Sequence, residues 1–102
     1  MDLATVDGSN AVLVLLGNGL GSLSAPTNFA TGTSPSFVSS ADFNGDGKMD
    51  LATANYGSND VSVLFGNGLG SFSIATNFAV GIGPSYISSA DINGDTKMDL
   101  VT

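Results

Sequence analysis

Two stretches hold most of the acids in this chain: DFNGDGKMDL at Asp42 to Leu51 and DINGDTKMDL at Asp91 to Leu100, the second lying 49 residues after the first. Side-chain oxygens stand at loop positions 1, 3, 5 and 9. These are Asp42, Asn44, Asp46 and Asp50 in one stretch and Asp91, Asn93, Asp95 and Asp99 in the other, with the backbone carbonyls of Lys48 and Lys97 at position 7. A glycine-assisted turn wraps such a stretch round a central point, and oxygen ligands at that spacing suit Ca2+, a hard cation that takes about 6 to 8 of them. With no Cys and no His in the chain, no softer ligand points to another metal. The expectation is about two Ca2+ per chain.

The distribution of charge supports this. Six of the nine Asp residues sit in the two loops, and Asp2 is the position-9 equivalent of a third. Without a cation these carboxylates repel one another. Turns favour Asp, Asn and Gly on their own account, but a turn has no need of Asp at positions 1, 5 and 9 together, twice. An EF-hand is excluded, because position 12 is Thr53 in one loop and Thr102 in the other, where a bidentate Glu is required. Position 6 differs between the loops, Gly47 against Thr96, so the second site is expected to be looser.

The rest of the composition removes other functions. A net charge of −7, with only Lys48 and Lys97 positive, leaves nothing to displace the counterions of a nucleic-acid backbone. Lacking Cys, His and Glu, the chain has no thiol nucleophile and none of the usual groups for proton transfer near neutral pH. Only Asp7 and Asp60 lie outside the metal pattern, at unlike places in the repeat, so no enzyme activity is expected. No apolar run reaches the ~18 residues of a membrane span. The N-terminal MDLATVDGSN has no positive region and reads as no signal peptide.

The loops belong to a larger repeat, and the repeat defines the elements that position them. From Gly8 onward each position has a partner 49 residues later: LGNGLGS at Leu16 matches FGNGLGS at Phe65, and TNFA occurs at Thr27 and Thr76. MDLAT at Met1 and Met49 and MDLVT at Met98 mark unit boundaries, giving 1–48, 49–97 and the start of a third unit at 98–102. A unit of that length is in the range of propeller blades. Two-residue alternation in Phe72, Ile74, Thr76, Phe78 and Val80, with no helical period anywhere, makes the chain all-β. Four strands per unit are expected, at Pro35 to Phe43, Met49 to Asn55, Asp60 to Phe65 and Ser71 to Val80. Asn67-Gly68 reads as a hairpin with both central residues at positive φ. Phe29, Phe37, Phe72, Phe78 and Tyr86 are expected in the core, and Tyr56 on a turn.

The segment DFNGDGKMDLATANYGSNDVSVLFGNGLGSF, followed by ATNFAVGIGPSYISSADINGDTKMDL, resembles the FG-GAP or VCBS-type repeat of integrin-α-like β-propellers. The resemblance implies a calcium loop joining the innermost strand of each blade to the second, and use as an adhesion or lectin-like binding platform, extracellular or at a cell surface. The name-giving Phe-Gly is present as Phe65-Gly66 but is Leu16-Gly17 in the first unit.

Strands two to four open the chain and a strand one closes it, with Pro84 to Ile92 as that last innermost strand. The expected architecture is therefore two four-stranded antiparallel blades per chain, completed by strand exchange between copies into a homo-oligomeric propeller. A trimer is preferred to a dimer or tetramer, since six blades lie within the usual range of about 4 to 8. Residues 1–5 and 98–102 then compete for one strand position. The expected function is a calcium-binding, non-catalytic propeller module for glycan or extracellular protein ligands, with no membrane insertion. The alternative is a purely structural self-assembling fragment, excised or designed, without a ligand of its own.

Overall fold

The computed structural model describes residues 2–102 and is all-β. Met1, counted above among the repeat methionines, lies outside the described residues. Nine strands form among them: β1 (Leu3–Val6), β2 (Ala11–Leu15), β3 (Thr27–Ala30), β4 (Pro35–Ala41), β5 (Asp50–Asn55), β6 (Asp60–Leu64), β7 (Thr76–Ala79), β8 (Ser88–Ala90) and β9 (Asp99–Val101). They pair into three antiparallel sheets in sequence order: β1-β2-β3, β4-β5-β6-β7 and β8-β9. No helix of the described residues is long and apolar enough to cross a membrane.

The register repeats from sheet to sheet. Leu3 faces Leu15 and Thr5 faces Leu13 in the first sheet, as Leu51 faces Leu64 and Thr53 faces Ser62 in the second. Because strand side chains alternate between faces, β5 serves both neighbours. Ala52 and Ala54 join Val61, Val63 and Ile87 in a core on the side of the third sheet. On the side of the first sheet, Leu51 and Leu64 pack with Val12 and Val14. All six residues of β5 are buried as a result. Removing Leu64, wholly inaccessible, from water is worth about 2 kcal/mol on its own.

The second half of the β5 face toward the first sheet is polar. Thr53 Oγ1 donates to Asn55 Oδ1, Asn55 Nδ2 donates to Asp60 Oδ1 and Ser62 Oγ, and Ser62 Oγ donates to Asn77 Oδ1, each at 2.8 Å. The Gly32 amide, in the connection from β3 to β4, closes the network by donating to Ser62 Oγ at 3.0 Å. A Cβ at Gly32 would lie 2.6 Å from both Asn55 Nδ2 and Ser58 Oγ, so only glycine lets the connection approach this closely. The polar group count balances: no buried side-chain N or O among the described residues lacks a partner.

Several expected boundaries are corrected. The strand placed over Ser71 to Val80 begins only at Thr76, preceded by one isolated bridge between Gly66 and Phe72. Here Asn67 Oδ1 accepts the Ser71 amide and Ser73 Oγ accepts the Phe65 amide, and those side-chain bonds replace ladder bonds. For the same reason Asn67-Gly68 is not a two-residue turn: Gly68 and Gly70 take positive φ and Asn67 does not. The first strand of the second sheet stops at Ala41, two residues short of Phe43, and the strand expected over Pro84 to Ile92 forms only at Ser88–Ala90. Among the aromatics, Phe29 meets Phe72 edge-on at 5.3 Å, and Phe37 lies against Tyr86 at 4.3 Å with the rings tilted by 43°. Phe78 and Tyr86, both expected in the core, are 53% and 59% exposed.

Candidate metal centre

Each acidic loop joins the first and second strands of a sheet, β4 to β5 and β8 to β9. Both fold by turning the first carboxylate inward on the backbone. Asp42 Oδ1 accepts the amides of Gly45 (2.8 Å) and Asp46 (3.2 Å), and its Oδ2 accepts that of Gly47 (2.8 Å). Asp91 does the same with Gly94 (2.9 Å), Asp95 (3.1 Å) and Thr96 (2.8 Å). Asn44 and Asn93 accept from the amides of Asp46 and Asp95, and Asp46 and Asp95 in turn accept from those of Lys48 and Lys97. The Gly47 amide is the main reason that the Asp42 carboxyl sits below its ordinary pKa; desolvation opposes it, and the amides of Gly45, Asp46 and Asn44 add to it.

This curl needs left-handed backbone at position 6. Gly47 supplies it at φ 80°, and Thr96 adopts φ 69° although a β-branched residue is strained there. Thr96 thus carries a backbone cost that Gly47 does not.

The ninth position has a role that the spacing alone did not reveal. Asp50 is wholly buried. Its Oδ2 accepts the Phe43 amide of its own loop and its Oδ1 the Gly66 amide at the end of β6, both at 2.9 Å. Asp2 likewise accepts the Gly17 amide at 2.9 Å, and Asp99 the Ile92 amide at 3.0 Å. The signal was present as a Phe-Gly or Leu-Gly pair recurring in step with the acids, but no local pattern links residues so far apart.

These contacts decide which candidates meet. The carboxylates of Asp91, Asp95 and Asp99 offer oxygens that all lie within 4.8 Å of one another, a group of three able to hold an ion. Asp42, Asp46 and Asp50 do not form such a group, and Asp50 is held by the amides of Phe43 and Gly66. The donors in both loops are hard oxygens, which fits Ca2+. Lys48 does not intrude, because its side chain runs against Gly68, where a Cβ would lie 3.5 to 3.8 Å from its methylenes. The remaining two acids have structural partners: Asp7 accepts the Ser9 amide, and Asp60 belongs to the buried network. Tyr56, 58% exposed, lies with its ring against Gly83.

Beside the first loop, a cleft of about 520 Å³ opens between the first and second sheets, walled by Val14, Leu16, Met49, Leu51 and Phe72 with Lys48 at its edge.

Repeated antiparallel sheets, two of the three carrying an acidic loop between their first two strands, define a repeat-built all-β protein with candidate hard-cation loops. The model of the FG-GAP-like repeat matches residues 1–53 and again 42–102, so the chain belongs to the FG-GAP-like repeat family. The two matches overlap on the first acidic loop and the opening of β5. Comparison with curated proteins and with solved structures gives no significant match.

Proposed function

We propose that this chain is a calcium-stabilised, non-catalytic β-propeller module whose loops and inter-sheet cleft present a binding surface to glycans or extracellular proteins. The observation that carries the cation is the approach of Asp91, Asp95 and Asp99 within 4.8 Å in a loop that already curls round its first carboxylate. Asp50 adds support: a fully buried carboxylate whose hydrogen-bond donors are two backbone amides gains from a nearby positive charge. Asp42, Asn44, Asp46, Asp50 and the Lys48 carbonyl would hold one ion, and Asp91, Asn93, Asp95, Asp99 and the Lys97 carbonyl the other. A bound cation would cancel the repulsion in each loop and hold strands one and two together. It supplies stability and leaves no chemistry to perform.

Affinity typical of extracellular modules, Kd about 10⁻⁴ to 10⁻³ M, would leave such sites filled outside cells and mostly empty in cytosol, which favours an extracellular or cell-surface setting. Each of the three sheets ends in strands paired on one side only among the described residues, and unpaired strand edges are normally covered. Several copies of this chain would cover them by sharing strands, three copies giving six blades. Those same edges also favour the purely structural reading, in which assembly is the whole function.

Isothermal titration of metal-free protein with CaCl2 tests the cation: heat at about two sites per chain supports it, and silence at millimolar Ca2+ defeats it. Light scattering in the same buffer tests the ring, and a monodisperse monomer rejects it. A glycan array with Ca2+ separates the binding module, which predicts a defined set of positives, from the structural reading, which predicts none.

A further inference from the structure

Asparagine is followed by glycine four times, at Asn18-Gly19, Asn44-Gly45, Asn67-Gly68 and Asn93-Gly94. All four asparagines are exposed, and the four glycines take positive φ, between 76° and 79°. A glycine nitrogen, with no Cβ beside it, can reach the carboxamide carbon of the asparagine before it and close a five-membered ring. Two atoms govern that reaction: the nitrogen that attacks and the oxygen that gathers charge.

The two kinds of loop treat these atoms in opposite ways. In the acidic loops the attacking nitrogen is occupied, since the Gly45 amide donates to Asp42 Oδ1 at 2.8 Å and the Gly94 amide to Asp91 Oδ1 at 2.9 Å. Attack requires that nitrogen to give up its proton, and a carboxylate at hydrogen-bond distance disfavours the anion left behind, as any like charge does. The asparagine oxygens there each have one long donor, the amide of Asp46 at 3.4 Å or of Asp95 at 3.3 Å. In the connections from β2 to β3 and from β6 to β7 both relations are reversed. Among the described residues no acceptor holds the amide of Gly19 or Gly68. Asn18 Oδ1 accepts the amides of Leu20 at 2.8 Å and Ser22 at 3.3 Å, and Asn67 Oδ1 those of Leu69 at 2.7 Å and Ser71 at 3.2 Å. Two backbone donors aimed at one carbonyl oxygen meet the negative charge that attack on its carbon would place there, which is the arrangement of an oxyanion hole.

We propose that Asn18 and Asn67 are sites of spontaneous deamidation, and that the acidic loops shield Asn44 and Asn93 from the same reaction. Hydroxide takes the Gly68 amide proton, the electron pair of that nitrogen forms a bond to Asn67 Cγ, and the charge passes to Oδ1 under the amides of Leu69 and Ser71. Collapse of this intermediate breaks the bond from Cγ to Nδ2. The departing group takes a proton from water and leaves as ammonia, and hydroxide is returned. Water then adds to either carbonyl of the succinimide, giving aspartate by one opening and isoaspartate, with an extra methylene in the main chain, by the other. The same steps apply at Asn18 and Gly19. Aspartate keeps an oxygen for the two amides and adds a negative charge to a loop whose Gly68 lies against the methylenes of Lys48. Isoaspartate lengthens the turn and moves that oxygen away from them.

Trypsin cuts after Lys48 and Lys97 and yields peptides 1–48 and 49–97, each with one asparagine of either kind. The full chain is held in mildly alkaline, metal-free buffer, natively and in guanidinium chloride, and fragment-ion mass spectrometry follows the conversion of each amide to acid. Unfolded, the four asparagines should convert at similar rates, because each has glycine after it and no loop round it. In the native chain Asn18 and Asn67 should convert several-fold faster than Asn44 and Asn93. A native difference no larger than the unfolded one overturns the assignment, and so does faster conversion at Asn44 or Asn93. Native Asn18 and Asn67 that stay intact while the unfolded chain converts overturn it as well.

Discussion

The amide of Gly66 donates to Asp50 Oδ1 at 2.9 Å, tying the end of the third strand to the acidic loop that joins the first and second. The position accepts no side chain, because a Cβ at Gly66 would fall on the Met49 carbonyl oxygen. The glycine of the Phe-Gly pair is therefore required by the Met49 carbonyl, beside which its amide reaches Asp50.

Gly66→Ala should destabilise the chain by about 3 kcal/mol, the upper range for forcing extra atoms into a packed site. Gly81→Ala, where a Cβ meets nothing within 4 Å, is the control and should unfold at the parent denaturant midpoint. Chemical denaturation of both in metal-free buffer checks this; equal midpoints would show that the corner yields.

Thr96→Gly should stabilise the metal-free chain by about 1 kcal/mol, because the left-handed backbone that Thr96 holds at φ 69° is open to glycine at little cost. Gly47→Thr should lose a similar amount. Thermal unfolding decides the sign, and a lower Tm for Thr96→Gly would mean that the Thr96 side chain contributes more than its backbone costs.

Ser62→Ala removes the acceptor for the Gly32 amide and for Asn55 Nδ2, and the donor to Asn77, from a buried network. A loss of about 1 to 3 kcal/mol is expected, the range for buried polar groups left without a partner. Ser36→Ala offers a contrast, because its hydroxyl makes only long contacts, at 3.2 and 3.4 Å, to carbonyls that it does not need to satisfy alone. Matched urea melts should separate the two variants clearly.

Without metal, stability should fall in acid. The Asp42 carboxyl is lowered chiefly by the Gly47 amide and that of Asp7 chiefly by the Ser9 hydroxyl. A group lowered in the folded state contributes stability that is present above its unfolded pKa, about 3.9, and is lost as pH drops through the folded value. Tm measured from pH 6 down to pH 2 should therefore decline below about pH 4. Asp42→Asn should flatten that decline, and an unchanged slope would mean that protonating Asp42 leaves the loop intact.

Calcium should raise Tm in the parent chain, and Asp46→Asn and Asp95→Asn should each remove part of the increase. Mass action gives about 1.4 kcal/mol per site at ten times Kd. Scanning calorimetry with and without chelator measures the increment; a variant with the full parental increment has lost no ligand.

Much of this was legible in the sequence. The 49-residue repeat and two-residue alternation mark the all-β class, and the family match spans both units. The loop residues could be named because their spacing is local: Asp42 reaches the amides of Gly45 to Gly47 within one turn of chain. Ser71 to Val80 misled, since alternation there continues past the point where Asn67 takes the Ser71 amide that a strand would use.

Composition and spacing by themselves determined which atoms this protein can offer, hard oxygens at two repeated loops and no His, Cys or Glu, because these depend on residue types a few positions apart. Only the tertiary structure decided how the acids divide. Asp99 lies with Asp91 and Asp95, while Asp50 is held by the amides of Phe43 and Gly66, the second brought beside it by the third strand, and that neighbour is set by sheet pairing across sixteen residues of chain.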